Sequence, residues 1–269
     1  MQAVLIAGAL VLIAVGAVIF TLVTPWWFTP QASNWGEIDS TLLLTIWITG
    51  IAFVLVNLFV AYTVIRYRHR EGQRAEYLPE HKRLEWGLIA LTTVGVIVLL
   101  APGLFVYSRF ITPPEEAMLV EVVGEQWRWT FRFPGPDGVL GEADPQRISF
   151  ENPFGIDPDD PYAQDDVLVL GNELHLPVGV PVKLQLRAKD VLHSFYVPQF
   201  RVKMDTVPGM VTHLWFTPTE VGRYEIACAE YCGIGHHTMR GVVVVEDEES
   251  FRQWLATQPI FGSPAGRSE

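Results

Sequence analysis

Three stretches of the chain, 3–23, 41–63 and 86–107, contain no Asp, Glu, Lys or Arg. Each reaches the roughly 20 apolar residues that a membrane-crossing helix requires. A helix buried in a protein core could show the same composition, but three such runs within the first 107 residues favour spans. Past Pro113-Pro114 the pattern changes from continuous to alternating. The segment AMLVEVVGEQWRWTFRF (117–133) interleaves aromatic and β-branched residues and is expected to form a strand. DVLVLGNELHLP, VPVKLQLRAKD, HSFYVPQF, VTHLWFTP, GRYEIAC and RGVVVVED follow as short β-rich segments punctuated by Gly, Pro and Asp, the pattern of a sandwich or barrel. Near the end, DEESFRQWLATQ places acidic residues before Phe251, Trp254 and Leu255, as an amphipathic helix would.

The expected organisation is an N-terminal transmembrane helix or signal segment (1–25), a transmembrane helical hairpin (40–108) and an all-β domain (115–247). A C-terminal helix and tail follow (248–269). The β domain carries an acidic Pro/Gly-rich insertion at about 134–166. No Lys or Arg precedes the first apolar run, which is longer than a usual signal core, so a retained helix is expected; a cleaved secretory signal is the alternative.

Charge orients this plan. Arg66, Arg68, Arg70, Arg74, Lys82 and Arg83 lie between the second and third spans, the Lys/Arg cluster expected on the cytoplasmic side. Everything after Tyr107 then lies on the periplasmic or outer side. Trp26, Trp27, Trp35 and Trp86 flank the spans, where indole rings favour the headgroup layer. Acidic and basic residues balance in the first 107 positions, so the net charge of −11 arises wholly beyond them. Such an exterior argues against nucleic acid as a partner and suits steering of a basic protein. The insertion, where many of the carboxylates sit, is expected to be a solvated loop or a docking surface.

The chain has two cysteines. Cys228 and Cys232 fall in CAEYCGIGHHTM, with His236 four residues further on and Met239 three beyond. Thiolates, imidazole and thioether together suit copper, whereas zinc seldom recruits methionine. Gly233 and Gly235 allow the backbone to curl. His193, in DVLHS at a predicted strand–loop junction, is the candidate second imidazole. In an oxidising compartment the two cysteines could instead form a disulfide. His237 is out of register with this spacing, and His175 and His213 lie in strand patterns, as packing or surface residues do.

CAEYCGIGHHTM, preceded by DVLHSFYVPQFRVKMDTVPG, resembles the binuclear copper A motif of cytochrome c oxidase subunit II. GEQWRWTF is similar to that family's aromatic segment, and a hairpin followed by a β domain reproduces its architecture over roughly residues 40–250. The resemblance implies a cupredoxin-like Greek-key β-barrel. Cys228 and Cys232 would bridge two copper ions, with His193 and His236 binding one each, Met239 a weak ligand and Glu230 a backbone-carbonyl ligand. The Glu230 side chain would help bind magnesium at the interface with subunit I. Trp127, surrounded by Gln126, Arg128 and Trp129, would receive electrons, although an aromatic strand residue is more often core. Glu85 resembles a glutamate at the mouth of a proton path. The tryptophan expected three residues later is Leu88 here, and an interfacial carboxylate serves as well. Met210 replaces the basic residue that many relatives carry after Pro-Gly, which puts a contact to haem propionates there in doubt.

The implied function is that of a multi-pass subunit in a bacterial inner membrane. It would take electrons from a cytochrome c, whether soluble, membrane-bound or fused elsewhere in the complex. It would pass them to the haems of subunit I, for oxygen reduction coupled to proton pumping. Membrane lipids and other oxidase subunits would be its remaining partners. Two other functions fit the same residues: the copper A subunit of a nitric oxide reductase, and a membrane-tethered copper-binding module.

Overall fold

The computed structural model describes residues 1–24, 29–74, 77 and 79–263. Two compact units emerge: one comprises 1–28 and 37–106, the other 29–36 and 107–269. Trp26 and Trp27 lie outside the described residues.

The first unit is built from α1 (Gln2–Val23), α2 (Gly36–Arg66) and α3 (Lys82–Phe110). All three are long and apolar enough to cross a membrane. A backbone in hydrocarbon must satisfy its own polar groups, and the side chains follow the same rule. Thr41, Thr45, Thr49, Thr63 and Thr92 return their hydroxyls to carbonyls three or four residues earlier, and Asn57 Nδ2 donates to the Phe53 carbonyl at 2.8 Å. Most large apolar side chains of these helices face outward, including Leu12, Phe59 and Leu91.

The second unit has ten strands in two five-stranded sheets. Strands β1 (Met118–Glu125), β2 (Arg128–Phe133), β3 (Val167–Val169), β5 (Val182–Ala188) and β8 (Thr212–Phe216) form one sheet, in the order β3-β2-β1-β5-β8. The other runs β4-β10-β9-β6-β7, built from β4 (Glu173–Pro177), β6 (His193–Val197), β7 (Val202–Thr206), β9 (Gly222–Cys228) and β10 (Arg240–Glu246). Pairing is antiparallel except for β1 with β5 and β4 with β10. Alternate residues from both sheets meet in the core: Val120, Val122, Trp129, Phe131, Leu184 and Leu186 from the first, Leu174, Phe195, Val202, Ile226 and Val243 from the second. Trp129 and Phe195 make an edge-to-face contact at 5.6 Å.

Four expectations change, three of them in the strands and the insertion. The predicted strand over 117–133 is a hairpin: β1 and β2 pair with Gly124 opposite Trp129, and Gln126-Trp127 form the turn between them through a cis peptide bond. DVLVLGNELHLP is split between two sheets as β3 and β4. The acidic insertion is more than a solvated loop. Strand alternation sends Glu121, Val123, Arg132 and Arg187 to the back of the first sheet, and the insertion covers them. Phe154, Ile156 and Ala163, all fully buried, pack with Val123, Leu168 and Phe261. Beneath them Arg132 donates to Glu121 at 2.6 Å and to Asp166 at 2.7 Å, while Arg187 donates to Glu121 at 2.7 Å. The same guanidinium groups reach insertion carbonyls at Gly141 and Phe154, both at 3.1 Å.

Helix α4 (Glu248–Ala256) starts at Asp247, whose side chain accepts from the Ser250 N–H at 2.9 Å, a standard N-cap. It lays Phe251 and Trp254 against Phe133 and stacks Trp254 on His175 at 4.1 Å. Residues 29–36 form a strap along the β domain. Ala32 N–H donates to the Gln199 carbonyl at 2.8 Å, Thr219 N–H to the Ala32 carbonyl at 3.0 Å, and Ser33 Oγ to the Phe200 carbonyl at 2.8 Å. Trp35, expected in the headgroup layer, is 1% exposed. Its Nε1 donates to the Trp215 carbonyl at 2.9 Å, and its ring lies between Phe110 and Trp215. The indole therefore serves as core. Trp86 is exposed.

Candidate metal centre

Strand pairing brings the soft donors together. β6 begins at His193 and β9 ends at Cys228; the two strands pair, with Phe195 opposite Cys228. β10 starts one residue after Met239, and the Cys228 N–H donates to the Met239 carbonyl at 3.2 Å, closing the neck of the loop between them. Every candidate donor thus sits at a strand end or inside a loop tied off by a sheet.

Cys228 Sγ lies 3.8 Å from Cys232 Sγ, and both cysteines are free thiols. Cys232 Sγ is 3.5 Å from His236 Nδ1 and 3.8 Å from Met239 Sδ. The Glu230 carbonyl is 3.2 Å from Cys228 Sγ. Donor atoms of His193, Cys228 and Cys232 lie within 4.8 Å of one another. Met239 and Cys232 are buried, Cys228 and His236 half-buried. All six residues singled out by the sequence therefore converge. His237 and His213 are exposed, and His175 is bonded to Glu246 at 2.8 Å. Met210 is exposed on the turn between β7 and β8.

The electrostatics of the metal-free cluster are those of crowded thiols. Burial opposes the Cys228 thiolate, but His193 and the backbone at Glu230 and Ser194 outweigh it and hold Cys228 down to about 6. Burial and the neighbouring Cys228 charge push Cys232 up to about 12. Two thiolates so close together disfavour each other. A cation that accepts both as thiolates relieves this repulsion.

Sequence reasoning missed Asp190. Its Oδ1 is 2.8 Å from His193 Nε2, and its Oδ2 accepts from the Gln126 N–H at 2.8 Å. Burial raises the Asp190 pKa, but bonds from His193, Gln126 and Val191 bring it below the usual value. An acid three residues before a histidine was the available signal. With Nε2 engaged, His193 Nδ1 remains buried with no partner among the described residues. A metal-binding imidazole typically shows this pattern, one nitrogen held by a carboxylate and the other open.

Trp127 leaves the core to its neighbour Trp129 and lies half-exposed against the donor loop. Its Nε1 donates to the Cys232 carbonyl at 3.3 Å, and Gln126 Nε2 donates to the same oxygen at 2.7 Å. Gly235 is required here, because a Cβ would overlap the Trp127 ring. Arg128 pairs with Glu125, and Trp129 packs against His193 at 6.2 Å. Glu85 accepts from the His81 N–H at 3.2 Å, so its carboxylate caps the start of its own helix.

The residues present fit a copper centre: two thiols, two imidazoles and a thioether form a soft donor set, and a buried, orphaned imidazole nitrogen faces it. Fold and site together define a membrane-anchored protein with a cupredoxin-like outer domain. Residues 118–247 match the family described as Cytochrome C oxidase subunit II, periplasmic domain. The chain is 52% identical over 263 residues to the alternative cytochrome c oxidase subunit 2 of Bradyrhizobium diazoefficiens, a match covering 98% of this chain and 95% of the relative. It is 32% identical over 247 residues to cytochrome c oxidase subunit 2 of Thermostichus vulcanus (78% and 73% covered) and 30% identical over 239 residues to that of Cereibacter sphaeroides (84% and 77%). The chain belongs to the cytochrome c oxidase subunit II family, as a subunit outside the catalytic core of the oxidoreductase.

Proposed function

We propose that this chain receives electrons from a cytochrome c on the outer face of a bacterial inner membrane and delivers them to the haems of subunit I. Oxygen reduction and proton pumping belong to that partner. The observation that carries this reading is the convergence of five soft side chains on one point, with Cys228 and Cys232 at 3.8 Å.

Cys228, Cys232, His193, His236, Met239 and the Glu230 carbonyl would hold the copper ions. Copper held there would supply one-electron redox chemistry. The chain's own residues fix the frame. Asp190 orients His193, the strand-pair neck locks Cys228 against Met239, and a donor set that cannot rearrange keeps the reorganisation cost of electron transfer low. Trp127, half-exposed and bonded to the Cys232 carbonyl, offers a hydrogen-bonded route from the surface into the donor loop. The acidic exterior attracts a basic donor. The Glu230 carboxylate, which has no ion pair or hydrogen bond among the described residues, would help hold a magnesium ion at the interface with subunit I.

Copper analysis and electron-spin resonance on the full chain in its assembly test this reading. The expected result is close to two copper ions per chain with a mixed-valence signal, abolished in Cys228→Ser. One ion per chain, or a signal surviving Cys228→Ser, would favour a copper carrier instead.

A further inference from the structure

The first unit contains a groove of about 600 Å³ between α1 and α2, lined by Ala7, Gly8 and Val11 on one helix and Ala61, Tyr62 and Ile65 on the other. Its size falls within the roughly 300–1,000 Å³ of small-ligand sites. The lining is almost wholly aliphatic, and Ala7 and Ala61 are small residues buried in it. The groove joins the first half of α1 to the last turns of α2, so it runs toward Arg66, where α2 ends.

Arg66 stands one helical turn beyond Tyr62 and next to Ile65, on the face that lines the groove. Arg68, Arg70 and Arg74 follow, all exposed. None of these four guanidinium groups has an ion pair among the described residues; Arg66 rests over the Tyr67 ring at 5.4 Å. An open apolar groove on two helices able to cross a membrane thus ends near four arginines without an ion pair among the described residues. Basic clusters immediately beyond a membrane helix attract anionic headgroups.

We propose that this groove binds one anionic phospholipid of the bilayer, an acyl chain lying along Gly8, Val11 and Leu58 and the phosphate held at Tyr62 and Arg66. The assignment rests on α1 and α2 crossing the membrane and is independent of the copper reading. The lipid would tie the first helix to the second by filling space that protein side chains leave open.

The test uses native mass spectrometry of the full chain in the assembly with which it purifies. The sample is delipidated and then exposed to detergent micelles holding equal phosphatidylglycerol and phosphatidylcholine. Phosphatidylglycerol is expected to be retained over phosphatidylcholine, by roughly fivefold for each arginine engaged. Gly8→Leu should remove the retained lipid, because Gly8 lines the groove and a Cβ there meets no neighbouring atom within 4 Å, leaving the rest of the side chain to occupy the groove. Gly16→Leu is equally unobstructed but lies outside the groove, and it should leave binding intact. Arg66→Gln with Arg68→Gln should keep the lipid and lose the headgroup preference. Copper content should be unchanged in all of them. Equal retention of both lipids, retention in Gly8→Leu, or crosslinking from Val11 to another polypeptide instead of lipid would overturn the assignment.

Discussion

Asp190 shows how much a single side chain outside the donor set can organise. It holds His193 Nε2 with one oxygen and the Gln126 backbone with the other, so the imidazole and the Trp127 turn share one support. Asp190→Asn preserves shape but removes the charge behind His193. It should weaken copper binding by about 10–100-fold, measured by competition with a chelator; unchanged affinity would refute the role. Asp166 allows a pH test away from the metal. Burial pushes its carboxyl up to about 6 from an ordinary 3.8, although Arg132 and the Gly141 N–H pull it down. The folded state therefore holds an extra proton between about pH 4 and 6. This group's stabilising contribution is full below about 4 and lost as pH rises through 6. Denaturation of wild type against Asp166→Asn should show the stability difference drifting against wild type across that window, and a constant difference would rule the shift out. The closeness of Cys228, Cys232, His236 and Met239 was legible in the sequence because residues of one short loop cannot lie far apart. Asp190 was not, because its role depends on a hydrogen bond that spacing alone does not reveal.

At the level of elements, the hairpin and the insertion taught most. Strand patterning over 117–133 runs through Gln126-Trp127 without a glycine or proline to mark the turn, so one long strand was the natural reading. β7 escaped notice because Val202–Thr206 puts Lys203 and Asp205 toward solvent, leaving too few apolar positions to register as a period. The insertion looked solvated because its apolar side chains are scattered among carboxylates, prolines and glycines without a strand or helix period. Phe154, Ile156 and Ala163 nevertheless face inward and close the back of a sheet. Phe154→Ala should cost about 3–5 kcal/mol in chemical denaturation of the outer domain while leaving the copper signal of the folded protein unaltered, since Phe154 packs on the first sheet and the donors arise from the second. A loss below about 1 kcal/mol would return the insertion to the status of a loop.

On the scale of the whole molecule, the net charge of −11 arises entirely beyond the membrane segments, and a basic electron donor should feel it. Raising ionic strength shortens the Debye length to roughly 3 Å at 1 M. Turnover with a soluble cytochrome c should therefore fall as salt rises, mainly through kcat/KM. Indifference to salt would point to a donor fixed within the complex. Helices followed by a β domain could be read from the sequence because lipid and sheet impose distinct periods. The strap over 29–36 could not, because its hydrogen bonds reach residues more than 160 positions away.

Cutting the outer domain free at the end of the third helix would remove that strap. A fragment starting at residue 107 would keep every donor yet leave a hole the size of an indole beside Trp215 and Phe110, and an unpaired edge along Gln199 and Thr219. During synthesis the strap is made long before its partners. It must wait, unsatisfied, until some 190 further residues have followed, so the last β segments complete a structure whose first piece was laid down before the second helix.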